Sequence, residues 1–203
     1  MRKYFWKLAA VAVGILYIWT MGLGNDVLQP SIASKILRFH VIANSDSDWD
    51  QIAKEAVRDA VGYYLNPMLE GVDSLEETKE VVESHLGEIV EIAYETLQEY
   101  GLDYSVEARI TTTHFPEKTY GSYRFPKGQY EALQIVIGEG KGQNWWCVLY
   151  PNMCFRGTVY EVIEEDAAEA LKEVLTPWEY ADVFETDNLR FRFKLLEYLF
   201  RNE

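Results

Sequence analysis

Apolar and polar residues alternate between Lys35 and Ala43, with Leu37, Phe39, Val41 and Ala43 on one face and Arg38 and His40 on the other. A period of two over that length predicts a half-buried strand. Asn44-Ser45-Asp46-Ser47-Asp48 stops the strand and supplies side chains suited to capping a helix. The period then becomes helical. Ile52, Ala53, Ala56, Val57, Ala60, Val61, Tyr64, Leu65 and Met68 share one face, Lys54 and Arg58 fall near the opposite side, and Asn66-Pro67 with Gly71 breaks the helix. Ser74 and Glu77 have capping-box spacing and open a second helix, expected to run towards Tyr100 and to end at Gly101. Tyr104, Val106, Ala108 and Ile110 alternate again and predict a second strand.

From Thr113 to Tyr130 periodicity fades, and Pro116, Gly121, Pro126 and Gly128 sit among Phe115, Tyr120, Tyr123, Phe125 and Tyr130. This reads as a long aromatic loop, and loops of that length in compact domains tend to be functional. EALQIVIGEG and NWWCVLYP follow as two buried strands, with Gly138 to Asn144 expected to close them into a hairpin. Trp145 and Trp146, as strand neighbours, must point to opposite faces, one into a core and the other towards a second layer or a partner. Val159 to Leu175 predicts an acidic amphipathic helix stopped by Thr176-Pro177, and Asp187 to Phe200 a last helix with little polar face. The order βααβββαα predicts an α+β domain over residues 35–203, a mixed or antiparallel sheet of about four strands covered by about four helices.

Residues 26–34, with Pro30, read as a linker. Before them, Arg2, Lys3 and Lys7 precede an uncharged run from Leu8 to Asn25, the layout of a signal peptide. As a helix that run would span roughly 27 Å, enough to serve as a membrane anchor if uncleaved. Gly22 and Gly24 offer small residues for a cut, but no Ala-x-Ala is present. Both alternatives put the body outside the cytoplasm. The composition, 48% hydrophobic and 14% aromatic, is that of a folded chain. A net charge of -14 argues against binding nucleic acid or an anionic membrane surface through bulk charge, which leaves the N-terminal segment as the expected membrane contact.

Candidate chemistry is sparse. His40, His85 and His114 have no metal-ligand spacing. Asp46, Asp48 and Asp50 imitate the start of a calcium loop, but Gln51 stands where glycine is needed and Val57 where glutamate is needed, so helix capping explains them better. Gly138-x-Gly140-Lys141-Gly142 lacks the phosphate-loop register, and there is no Gly-x-Ser-x-Gly elbow. No cofactor, metal site or catalytic set is expected. In an exported protein Cys147 and Cys154 form an even pair and are expected to make a disulfide, worth about 2 to 3 kcal/mol in the chain-entropy model; two buried thiols are the alternative. Cys147 with His114 and Asn144 supplies the residue types of a secreted thiol hydrolase, and the aromatics would suit a cell-wall-binding module.

The segments LRFHVIANSDSDWDQ (Leu37 to Gln51), KEAVRDAV (Lys54 to Val61) and FPEKTYGSYRFPKGQYEALQIVIGEGKGQNWWCVLYPNMCF (Phe115 to Phe155) resemble the stage II sporulation protein R family. The resemblance implies an exported signalling protein of endospore formation. It implies synthesis in the forespore, passage into the space between the forespore and mother-cell membranes, and activation of a membrane-bound aspartic peptidase that processes the sigma-E precursor. Beside it, the concentration of aromatics and turn residues makes Tyr120, Tyr123, Arg124, Phe125, Trp145 and Trp146 the expected partner-binding residues.

Overall fold

The computed structural model describes residues 28–153 and 165–184. The expected signal segment, the last helix, Cys154 and the first part of the helix expected from Val159 lie outside the described residues. Among the described residues no helix is long and apolar enough to cross a membrane.

Four strands build the main sheet, β1 (Leu37–Ile42), β2 (Val106–Phe115), β5 (Gly128–Ile137) and β6 (Asn144–Tyr150), in the order β2-β5-β1-β6. β1 runs parallel to β5 and antiparallel to β6, and β2 is antiparallel to β5, so the sheet is mixed. Helices α1 (Asp48–Leu69), α2 (Leu75–Ser84) and α3 (Leu86–Glu99) cover one face. A small hairpin of β3 (Lys118–Tyr120) and β4 (Tyr123–Phe125), with α4 (Glu165–Val174), α5 (Pro177–Val183) and a short helix over 28–33, covers the other.

The alternation in β1 sorts its residues as expected. Leu37, Phe39 and Val41 join Val57, Val61, Ile89, Leu97, Ile135 and Trp145 in the core under the helices. The opposite face is the correction: Arg38 and His40 are also buried, because that face carries a second core of Ile32, Ile36, Phe115, Phe125, Tyr130 and Leu171. β1 is a central strand covered on both sides, and its two polar residues are interior groups.

Several boundaries differ for local reasons. The linker is helical over 28–33. α1 runs through Pro67 to Leu69; proline costs little there because it lies in the last turn, and Tyr63, whose carbonyl it leaves without a helical donor, is 88% exposed. Its buried stripe turns towards Lys54 and Arg58, both buried, and leaves Ile52 exposed. The second helix breaks into α2 and α3 at His85, whose Nδ1 lies 2.7 Å from the Val81 carbonyl and competes for the ladder. The aromatic loop is largely strand, since β2 continues to Phe115 and β3 and β4 pair. Thr176-Pro177 starts a helix as well as ending one: Thr176 and Glu179 form a capping box with proline in the first turn.

The largest correction concerns β5 and β6. They flank β1 instead of pairing with each other, so Gly138 to Gln143 is a bridge across the end of the central strand and not a hairpin turn.

Candidate functional site

That bridge builds a hydrogen-bonded polar end of the sheet. Where β1 and β5 end side by side, the chain leaving β1 forms a loop over Asn44 to Ser47, and the bridge lies on it. Lys141 and Gly142 donate their amides to the carbonyls of Asn44 (3.1 Å) and Ala43 (2.9 Å). The Asn44 side chain accepts from the Glu139 amide at 3.0 Å and donates to Asp50 at 2.9 Å, and Asp46 accepts from the Gln143 amide at 2.7 Å. The contact is close because glycine allows it. A Cβ on Gly142 would come within 2.2 Å of the Ser45 carbonyl oxygen, and one on Gly138, which sits at φ +56°, within 2.3 Å of Asn44 Oδ1.

Asp50 anchors the loop from below. It is buried and accepts from Ser45 Oγ at 2.5 Å as well as from Asn44. Burial opposes its ionisation, yet the hydrogen bonds from Ser45, Asn44, Tyr104 and Ser47 outweigh it and hold the carboxyl below the usual range. Ser47 caps α1 through the Asp50 amide, so the aspartates read as imitating a calcium loop serve as cap, anchor and bridge contact.

On this scaffold Trp49 and Ile52 project, 52% and 47% exposed. The Trp49 indole donates to the Tyr100 carbonyl at 3.3 Å, which fixes the ring against the end of α3 and leaves much of its area to solvent. Asp46 and Asp48 just before and beside it, and Glu139, Lys141 and Gln143 of the bridge that lies on the preceding loop, are exposed polar residues. A rigid, half-exposed tryptophan beside an aliphatic residue and next to exposed polar residues is the make-up of a protein-binding anchor. Neither follows from the hydrophobic pattern: Ile52 shares the helix face expected to enter the core, and Trp49 stands among aspartates. The signal that could have found Trp49 is its place two residues after the helix cap, where a large apolar side chain has no core to enter.

The expected partner-binding residues lie elsewhere and mostly inside. Trp145 packs edge-on to Phe39 in the first core at 5.3 Å. Trp146 enters the second core, stacked on His40 at 3.8 Å, so the two tryptophans do point to opposite layers. Phe125 and Tyr123 are buried there too, the Tyr123 hydroxyl 3.0 Å from that of Tyr180. The Tyr120 hydroxyl donates to the Trp146 carbonyl at 2.8 Å and accepts from Arg38 at 3.0 Å. Arg124 is half-buried and 3.6 Å from Glu117. These rings hold the hairpin to the sheet.

Cys147 is a free, buried cysteine on β6, and the Cys154 of the expected disulfide lies outside the described residues. His114 is an exposed residue of β2, at the other edge of the sheet, with β5 and β1 in between. Cys147, His114 and Asn144 are therefore not brought together as a thiol-hydrolase constellation.

The family description "Stage II sporulation protein R (spore_II_R)" matches residues 33–160. A stage II sporulation protein R from Bacillus subtilis (strain 168) is 39% identical over 142 residues, 70% of this chain, and the match spans about 60% of that relative's length. No solved structure matches the chain. The matched residues take in β1, the loop after it, α1, the bridge and β6, and the chain belongs to the stage II sporulation protein R family.

Proposed function

We propose that this is an exported signalling protein of endospore formation that acts by binding. It docks on the extracytoplasmic part of a membrane-bound aspartic peptidase in the mother-cell membrane and favours that enzyme's active arrangement, so that the sigma-E precursor is cleaved. Activation of this kind requires only that the protein bind one state of its partner more tightly than the other. Family membership supports the sporulation setting. Export rests on the basic residues and apolar run at the N-terminus. The observation that carries the binding role is the half-exposed Trp49 with Ile52, held at the start of α1 next to a loop whose Asn44 and Asp46 accept amides of the bridge.

The test is co-expression of the peptidase and the precursor with and without this chain, reading precursor cleavage. Cleavage is expected only when both the peptidase and this chain are present; cleavage that never depends on this chain removes the proposal. The docking end is tested by Trp49→Ala. An interface anchor of this type is worth about 2 kcal/mol or more, roughly 30-fold in affinity. The variant should stay folded and exported while cleavage drops by about that factor at limiting expression. Wild-type cleavage by a folded, exported Trp49→Ala protein would move the docking surface elsewhere.

A further inference from the structure

β2 is an edge strand of the main sheet. It runs for ten residues, Val106–Phe115, in unbroken register with β5. Among the described residues no hydrogen bond reaches its backbone apart from that ladder, so every second residue turns an amide and a carbonyl outwards without a protein partner. The other edge differs: along β6 the Trp146 and Val148 carbonyls accept from the Tyr120 hydroxyl (2.8 Å) and the Met153 amide (3.2 Å). Folded proteins usually blunt an edge as long as β2 with proline, lysine or a bulge. β2 has none of the three.

Its first five residues, Val106-Glu107-Ala108-Arg109-Ile110, read as their own complement when reversed. Val106, Ala108 and Ile110 share one face, half-buried against the first core, while Glu107 and Arg109 share the other with side chains 70% and 55% exposed. We propose that β2 is the contact between two copies of this chain, paired antiparallel about a two-fold axis through Ala108 so that their sheets join into one. Outward-pointing residues must meet outward-pointing residues, so a symmetric pair has to be centred on a residue. Of the centres along β2, Ala108 alone sets Glu107 against Arg109 of the second copy, and symmetry makes that ion pair twice. The same register sets Val106 against Ile110 and Ala108 against its own counterpart on the helix side, where they are already half-buried.

The distances favour the pair between copies. Within one copy Glu107 and Arg109 are two residues apart, about 7 Å along the strand, and their contact is 3.4 Å long. Directly opposite residues lie about 5 Å apart. Arg109 is also held in position, since Nε and Nη2 donate to Gln134 Oε1 at 3.1 and 2.9 Å and leave Nη1 for the carboxylate. Tyr94, 40% exposed, donates its hydroxyl to Asp103 at 3.0 Å and places an aromatic ring near the start of the strand. A different protein would have to present the same pattern reversed, whereas a second copy presents it by symmetry. The net charge of -14 on each copy opposes association at long range, and the two ion pairs supply attraction where the strands meet.

This surface goes beyond the docking end at Trp49. Its readout is mass in solution and not precursor cleavage, so either proposal can fail while the other stands.

The experiment measures the mass of the full chain in density-matched detergent micelles by analytical ultracentrifugation. The unmodified chain should sediment as two copies. Glu107→Arg and Arg109→Glu each put like charges opposite one another at both pairs, and each should weaken association roughly tenfold or more. Mixed in equal amounts, the two variants should associate again, because each supplies the charges that the other lacks. Such rescue cannot come from variants that fail to fold. A single-copy mass for the unmodified chain, a dimer that neither variant weakens, or two folded variants that stay apart when mixed overturns the proposal.

Discussion

Arg38 and His40 share the face of β1 that the second core closes, and each follows a different rule for a buried polar group. Arg38 is 0% exposed, with its guanidinium 4.4 Å from the Phe115 ring, 5.1 Å from Tyr130 and 5.2 Å from Phe125. Nε donates to the Cys147 carbonyl at 2.7 Å, a second nitrogen donates to Tyr120, and Nη1 has no hydrogen-bond partner. Planar stacking and fixed donors are arginine's properties, so Arg38→Lys should lose about 2 to 4 kcal/mol in urea unfolding. Arg38→Met should cost less than Arg38→Lys, since it buries no charge; the reverse order would mean that the charge itself stabilises the fold. His40 lies between Trp146 and Gln134, which is in turn bound by Arg109 at 2.9 and 3.1 Å. Burial lowers its pKa to about 4, with the Arg38 charge acting the same way and a contact from Asn144 opposing them. The unfolded chain takes up this proton near pH 6.5 and the folded chain only near 4, so the contribution is complete above 6.5 and is lost as pH falls to about 4. It amounts to about 3 kcal/mol at most. Unfolding free energies at pH 7.5, 6 and 5 should fall for the wild type and stay level for His40→Gln.

The bridge over β1 is where local sequence and fold part company. Glycines between two apolar runs are a sound signal for a reversal, and a reversal is present. Turn residues nevertheless carry no information about what fills the space between the runs. β1 fills it, hydrogen-bonded to β5 along one edge and to β6 along the other, while the two cores bury its faces, Phe39 on one side and Arg38 on the other. Gly142→Ala tests this geometry: its Cβ would meet backbone, so one strand end must move. A loss of about 1 to 3 kcal/mol is expected, measured as a shift in the urea midpoint. A true hairpin turn would tolerate the change. The Thr176–Glu179 cap shows the opposite case, a spacing visible in the sequence but hidden by reading the proline only as a stop. Burial would raise the Glu179 pKa, but hydrogen bonds from Lys35, Ser31 and Thr176 lower it to about 2. That stabilisation is present above pH 4.5 and is lost as pH falls towards 2, a window below that of His40.

As a molecule, the protein has three layers whose two cores meet at the sheet, and its proposed docking end sits at the start of α1. Trp145→Ala should behave unlike Trp49→Ala, losing about 3 to 5 kcal/mol because its ring lies in the first core. The four sheet strands, the amphipathic helix after β1, the opposite facing of Trp145 and Trp146, and the family are legible along the chain, since each depends on periodicity or on residues in a row. Tertiary structure alone decided that both faces of β1 are covered, that β1 separates β5 from β6, and that the aromatics from Phe115 to Phe125 face inwards while Trp49 and Ile52 face out. The physical reason is the same throughout: periodicity tells which residues share a face, but whether that face meets water or another layer is set by chain segments far away in sequence.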